Sequence, residues 1–403
     1  MGRRKKIAAE LVEKLPVLPK SEPRHGFFKS KRQGQKIALV AVGSFIILLI
    51  CLILFLKLDT GAAAEFTDAV LRPVLGPRNV IAMEKFFYNG SDDLNRLTAS
   101  AKQPVSPLTV NVGVVGNIPT PDLSLSRGTI ITAANMPLPD EGHWKPVSLN
   151  SFPNQTVAVQ TFVRPDPDRS FAYATLIEMD MSKLVLSSVG GTQEPGGKVG
   201  VHGAGKIPSE VRASGKLVAA FDGGFQYSDG QYGMIVGSQT YLPLQTKLAT
   251  LVGYSDGRLK IMKYDGQALG SGVSFVRQNC PMLIENSLIS FENEADKKLW
   301  GRTLTSDIYT WRSGVGLTAN GNLLYAVGNS LTPLTLARAL KSAGAVNAMQ
   351  LDINPFWVRF SLFNGFANGV YTSDVLMKEM HNGASEFLNG YNKDFFYVSK
   401  KAG

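Results

Sequence analysis

Twenty consecutive residues, Ile37–Leu56, carry no charge, and Lys36 and Lys57 close the run at its two ends. As a helix rising about 1.5 Å per residue, the run spans roughly 30 Å, the thickness of a bilayer's hydrocarbon core. A buried core helix would show a polar stripe, whereas only Gly43 and Ser44 interrupt this one. A cleaved signal peptide has a shorter apolar region and a shorter basic flank, although Ala62–Ala64 imitates a cleavage site. Arg3, Arg4, Lys5, Lys6, Lys29, Lys31, Arg32 and Lys36 precede the run, and such a cluster resists translocation. The sequence therefore predicts a basic cytoplasmic tail over 1–36 and a membrane-spanning helix over 37–56. Everything after the helix is expected on the extracytoplasmic side of the cell membrane.

Charge follows the same division. Residues 1–57 hold 12 Lys and Arg against 3 Asp and Glu, so most of the net charge of +10 sits in the tail and anchor. The remaining chain is nearly neutral, and its bulk charge gives no reason to expect a nucleic-acid partner. Cys51 lies in the apolar run, which leaves Cys280 alone in the outer region and excludes an intrachain disulfide or a Cys-rich metal site there.

Beyond the anchor, residues 57–126 read as a stalk or accessory region broken by prolines. From residue 127 to 403 the texture becomes short apolar runs between Gly, Asn and Asp turns. Gly128–Ala133, Thr156–Val163, Lys183–Val189 and Lys216–Phe221 read as strands. Asp256-Gly257 and Asn320-Gly321 sit between paired runs and predict hairpins. Thr332 followed by Pro333 opens a helix that Gly344 closes, and a strand over Ala348–Leu351 should follow. A last helix is expected over Ser373–Met380. The fold class is α+β: a β-rich mixed domain with a few packed helices, preceded by one transmembrane helix.

No metal-ligand motif emerges, and nothing in the sequence names a cofactor. His25, His143, His202 and His381 lack ligand spacing. His202 has glycines close by on both sides, which let backbone approach a ligand. No Gly-x-Ser-x-Gly elbow is present. Three segments carry candidate chemistry. Ala220–Phe225 ends a strand in a turn that holds Asp222 and frees the N–H groups of Gly223 and Gly224, with Phe225 beside them. Trp311–Gly316 places Arg312 near a strand end, where a guanidinium can grip phosphate or carboxylate. Met349–Trp357 ends a strand with Asp352 and Asn354 on one side by the two-residue period, and Trp357 offers an aromatic face suited to a sugar. Each segment also reads as an ordinary turn or a surface ion pair.

Asp222-Gly-Gly-Phe, Arg277-Gln-Asn, Leu299-Trp-Gly, Trp311-Arg-Ser-Gly-Val-Gly, the helix with Leu336-Ala and Ala343-Gly-Ala, and Met349-Gln-Leu-Asp follow one another in order. Together they resemble the phosphodiester glycosidase domain family over roughly 180–365, and within it the membrane-anchored bacterial branch, similar to the mannose 6-phosphate uncovering enzyme. The sequence departs from the family pattern where Asn-Gly-Gly-Phe becomes Asp222-Gly-Gly-Phe, where Leu-Asp-Gly-Gly-Gly-Ser becomes Leu351-Asp-Ile-Asn-Pro-Phe, and where an Asp-Gly pair becomes Gly328-Asn329. The resemblance implies hydrolysis of a sugar-1-phosphodiester in a cell-envelope polymer or glycolipid. Asp352 or Asp222 would then stabilise an oxocarbenium-like state and Arg312 would hold the phosphate, with Asn354 and Trp357 orienting the sugar. The alternative is a relative without activity that binds glycans or helps assemble the envelope.

Overall fold

The computed structural model describes residues 108, 125, 128–133, 137–291, 299–301 and 309–401. All of them belong to one compact unit, Thr60–Gly403. The Ile37–Leu56 run lies outside the described residues, as does nearly all of 57–126. Among the described residues no helix is long and apolar enough to cross a membrane.

Three antiparallel sheets form the fold. The largest runs in the order β1 (Lys145–Pro146), β2 (Ala158–Val163), β3 (Ala174–Met179), β14 (Leu323–Leu331), β13 (Thr310–Thr318), β15 (Ala345–Ile353), β11 (Met282–Glu285) and β12 (Leu288–Ile289). A five-stranded sheet runs β7 (Gln239–Leu242), β6 (Met234–Val236), β10 (Val273–Asn279), β8 (Leu248–Tyr254) and β9 (Leu259–Tyr264). The third runs β17 (Val370–Asp374), β16 (Phe360–Ala367), β5 (Leu217–Asp222), β18 (Phe395–Lys400) and β4 (Leu184–Val189). Both turn signals act as expected. Asp256-Gly257 joins β8 to β9, with Leu251 opposite Ile261, and Asn320-Gly321 joins β13 to β14, with Val315 opposite Tyr325.

Inward side chains of all three sheets meet in one core. Val315 and Tyr325 of the large sheet, Phe221 and Phe396 of the third, and Leu251 and Phe275 of the second belong to it. Among the described residues, the one helix longer than two turns covers the other face of the large sheet. Three α-helices are described, α1 (Ser209–Arg212), α2 (Pro333–Ser342) and α3 (Ala384–Asn389), with one 3-10 turn at Tyr227–Asp229. In α2, Thr332 and Thr335 form a reciprocal capping box and Pro333 sits in the first turn. Its apolar face buries Leu336, Ala337, Ala339 and Leu340 against Leu324 and Ala326 of β14. α3 seals the outer face of the third sheet through Phe387 against Phe363 and Phe395.

Two expected elements differ. Ser373–Met380 is not a helix: Ser373 and Asp374 end β17, and the nearby helix is α3, which starts at Ala384. Tyr371, Thr372 and Ser373 pair with β16, so tertiary strand pairing overrides the weak local preference. Gly128–Ala133 forms no strand, although Ile130 still donates its N–H to the Gly142 carbonyl at 2.9 Å. Upstream, Leu108 forms an isolated antiparallel bridge with Met377, and Leu125 is buried.

Candidate functional site

Asp222 is the last residue of β5 and points across the interface between the third sheet and the large sheet. Its carboxylate meets four donors. Oδ2 accepts from Ser313 Oγ of β13 at 2.5 Å and from the Asp352 N–H at 3.1 Å. Oδ1 accepts from the Tyr325 hydroxyl of β14 at 2.9 Å and from the Arg359 N–H at 3.3 Å. Burial pushes this carboxyl up to about 6, against the pull of those same four donors. Segments 130 residues apart in sequence are thus joined at a single side chain, and the backbone of Asp352 is set by Asp222.

Asp352 reaches this place through a bulge. Arg312 lies opposite Ile353, while Gly314 lies opposite Gln350, so β15 carries one extra residue between them. Without that residue, alternation would put Asp352 on the same face as Gln350. With it, Asp352 turns to the Asp222 side. Asn354 then takes a left-handed conformation (φ 74°), and its carbonyl accepts from the N–H groups of Trp357 and Val358. Asn354 Oδ1 accepts from Thr310 Oγ1 at 3.2 Å, so Asn354 is tied to the start of β13.

The partner of Asp352 is Lys393. Its ammonium forms an ion pair with Asp352 Oδ2 and lies 4.8 Å from the centroid of the Trp357 ring. Asp352 Oδ1 accepts from the Ile353 N–H at 3.0 Å. Both charged residues are buried, at 3% and 1% exposure. Burial raises the Asp352 carboxyl to about 7; Lys393 opposes that rise and Asp222 adds to it. Burial works against the Lys393 charge, but Asp352 and the neighbouring groups hold the ammonium above its ordinary value. Glu194, in the loop after β4, is raised by burial, and both Lys393 and Asp394 act on it.

Gly223 and Gly224 lie where backbone and charged side chains come closest. Gly223 donates its N–H to the Asp394 carbonyl at 3.1 Å, and Gly224 to Asp394 Oδ2 at 3.2 Å. A Cβ on Gly224 would sit 2.6 Å from the Arg277 guanidinium carbon, so a side chain there would displace that group. Arg277 binds both oxygens of Asp394 at 2.8 and 2.9 Å and also donates to the carbonyls of Phe225, Tyr232 and Gln278. Both turn N–H groups are therefore taken up by Asp394, Gly223 by its backbone carbonyl and Gly224 by its carboxylate. Phe225 donates its own N–H to Asn279 Oδ1 at 3.3 Å.

The remaining predicted residues lie elsewhere. Arg312 and Ser313 are neighbours on β13 and face opposite ways. Ser313 bonds Asp222, whereas the Arg312 guanidinium lies on the α2 side of the sheet. There it donates to the Leu331 carbonyl at 3.0 Å, the Trp300 carbonyl at 3.4 Å and Gln350 Oε1 at 2.8 Å. His202 is exposed, and its Nε2 is 2.9 Å from the Gly197 carbonyl. Trp357 is near the centre, but Lys393 lies over its ring. The structure thus brings together Asp222, Gly223, Gly224, Asp352 and Trp357, and adds Lys393, which the sequence reading did not single out. The only local signal was Lys393-Asp394 directly before the apolar run Phe395–Val398, which is weak because a Lys is usually solvated. Among the described residues no group of three or more His, Cys, Asp and Glu is placed to hold a metal ion.

The segment that carries Asp222, Ser313 and Asp352 is also the one with a known pattern. Residues 215–352 match the phosphodiester glycosidase family. The glycosidase match opens just before β5 and ends on Asp352, so Lys393, Glu194 and Trp357 lie outside it. A comparison with curated proteins gives no match. Among solved structures, the zebrafish N-acetylglucosamine-1-phosphodiester alpha-N-acetylglucosaminidase catalytic domain, auto-inhibited by its pro-peptide, is 16% identical. That alignment covers 64% of this chain and 88% of the other, with a TM-score of 0.40. A hypothetical protein from Synechocystis is 11% identical, covering 66% and 64%, with a TM-score of 0.36. A protein from Burkholderia pseudomallei is 10% identical, covering 60% and 75%, with a TM-score of 0.30.

Proposed function

We propose that this chain is a membrane-anchored extracytoplasmic hydrolase that cleaves a sugar-1-phosphodiester in a cell-envelope polymer or glycolipid. The observation that carries the reading is the placement of Asp352: it ends the glycosidase-family segment and is aimed by a bulge at the Asp222 interface, where it meets a buried ammonium. In this role Asp352 faces the anomeric carbon and stabilises the positive charge that develops there as the phosphate leaves. A phosphate monoester is a good leaving group, so charge stabilisation contributes more than proton donation. Asp222 acts through the backbone of Asp352 and does not face the sugar. Because Arg312 is spent on two carbonyls and Gln350 on the far side of the sheet, holding the phosphate is left to other groups. The membrane anchor of the proposal is the Ile37–Leu56 run.

A second reading, a glycan-binding or envelope-assembly protein without activity, is favoured by one observation: Asp222 and Asp352 are both almost fully buried and hydrogen-bonded on both oxygens. The full chain in detergent, incubated with a panel of synthetic sugar-1-phosphodiesters, separates the two. Release of free sugar from one or more members supports the hydrolase. Inactivity across the panel, together with saturable binding of envelope glycans, establishes the binding protein.

A further inference from the structure

We propose that Lys393 is a positioning residue of this site: its ammonium, seated between the Asp352 carboxylate and the Trp357 ring, pairs with that carboxylate and holds it aimed toward the substrate. The proposal rests on the reading of Asp352 as the reacting carboxylate. Lys393 lies outside the family-matched segment, at the entrance to β18, and reaches Asp352 only because β18 pairs with β5. It is 1% exposed, so its charge is offset by neighbouring groups and not by water.

The surroundings explain why a cation is needed there. Acidic groups face this point from several segments: Asp222 from β5, Glu194 from the loop after β4, and Asp394 directly before β18. The hydroxyl of Tyr391 lies on the same side and is influenced by both Lys393 and Asp352. The other two nearby cations are committed elsewhere. Arg277 binds Asp394 through two hydrogen bonds, and Arg359 binds the Tyr391 hydroxyl and pairs with Glu386 at 3.5 Å. Lys393 is the ammonium that touches Asp352. An opposite charge in contact lowers a carboxyl's proton affinity by about 1–3 pK units. With Lys393 removed, only the Ile353 N–H is left to oppose burial and the neighbouring Asp222, and the Asp352 carboxyl is pushed further up. A neutral carboxylic acid cannot stabilise an oxocarbenium-like charge.

The test uses the full chain in detergent with Lys393→Met, which keeps an unbranched apolar stem beside Trp357. The expected result is that the acid limb of the kcat/KM profile moves up by at least about one pH unit, with activity recovering toward wild type in alkaline buffer. A purely structural role would instead lower activity by the same factor at every pH. Infrared titration of the carboxyl C=O band, with Asp352→Asn used to identify the Asp352 signal, reads the same effect without any turnover. The expected outcome is a Lys393→Met band that persists to higher pH than in wild type. If both proteins titrate together in the infrared, the proposal is overturned. If the infrared shift is seen while wild type hydrolyses nothing, Lys393 still sets the charge of Asp352 and the hydrolase reading is what fails.

Discussion

Replacing Asp222 with Asn preserves shape and volume and changes only what the two terminal atoms can accept. Each carboxylate oxygen of Asp222 faces one hydroxyl, which can rotate, and one backbone N–H, which cannot. An amide must turn its NH2 group to one side or the other. Turned toward Ser313 it meets the Asp352 N–H, and turned toward Tyr325 it meets the Arg359 N–H. Either way a buried backbone donor loses its acceptor and faces another donor, which costs about 1–3 kcal/mol. A protonated Asp avoids the conflict, because its O–H can point to Ser313 Oγ while Ser313 donates to the Asp352 carbonyl at 3.1 Å. This difference gives the effect a pH signature. The folded-state carboxyl is raised from 3.8 to about 6, so the folded protein binds the proton more tightly than the unfolded chain. Its contribution to stability is therefore full below the unfolded value and is lost as pH rises through about 6. Asn has no such term. The stability gap between wild type and Asp222→Asn should widen by about 1 kcal/mol between roughly pH 8 and pH 5. Urea unfolding of the full chain in detergent at several pH values measures it. A gap near zero would refute the four-donor arrangement, and one that narrows on acidification would refute the balance in which burial outweighs those donors.

Three further outcomes are expected, two from the structure and one from the proposed anchor. Asp394→Ala leaves the Arg277 guanidinium buried without its carboxylate and should cost about 3–5 kcal/mol in urea unfolding; a loss under about 1 kcal/mol would contradict the pairing. Thr332→Ala removes the α2 cap and should cost about 1 kcal/mol by the same assay, with an unchanged midpoint as the contrary result. Protease added to intact cells should digest the chain beyond Leu58 and spare the basic tail; protection of the domain would reverse the proposed topology.

Strand ends and the long helix were legible because their signals are local. Thr332, Pro333 and Gly344 mark α2 by cap chemistry, and Asp256-Gly257 and Asn320-Gly321 mark their hairpins by turn chemistry. Asp222 and Asp352 stood out as acids at the ends of apolar runs, and the two meet. What the sequence did not show depends on register. A single extra residue in β15 decides which face Asp352 occupies, and strict two-residue alternation cannot anticipate it. The same alternation, together with its partners across the sheet, places Arg312 under α2, away from Asp222. Lys393 was hidden for a different reason: a lone Lys is usually solvated, and only the pairing of β18 with β5 carries it to Asp352.

The measurement that bears most directly on the role of Asp352 is sugar release by a variant in which the buried pair is removed together. Asp352→Asn alone leaves the Lys393 ammonium buried opposite a neutral amide, so a loss of activity would be confounded with a loss of stability. Combining it with Lys393→Met removes both charges, and the unfolding free energy measured in urea should stay within about 1 kcal/mol of wild type. With a sugar-1-phosphodiester that the wild type hydrolyses, the folded double variant is expected to release no free sugar above the uncatalysed rate. A folded double variant that still releases sugar at a rate near wild type would contradict Asp352 as the reacting carboxylate.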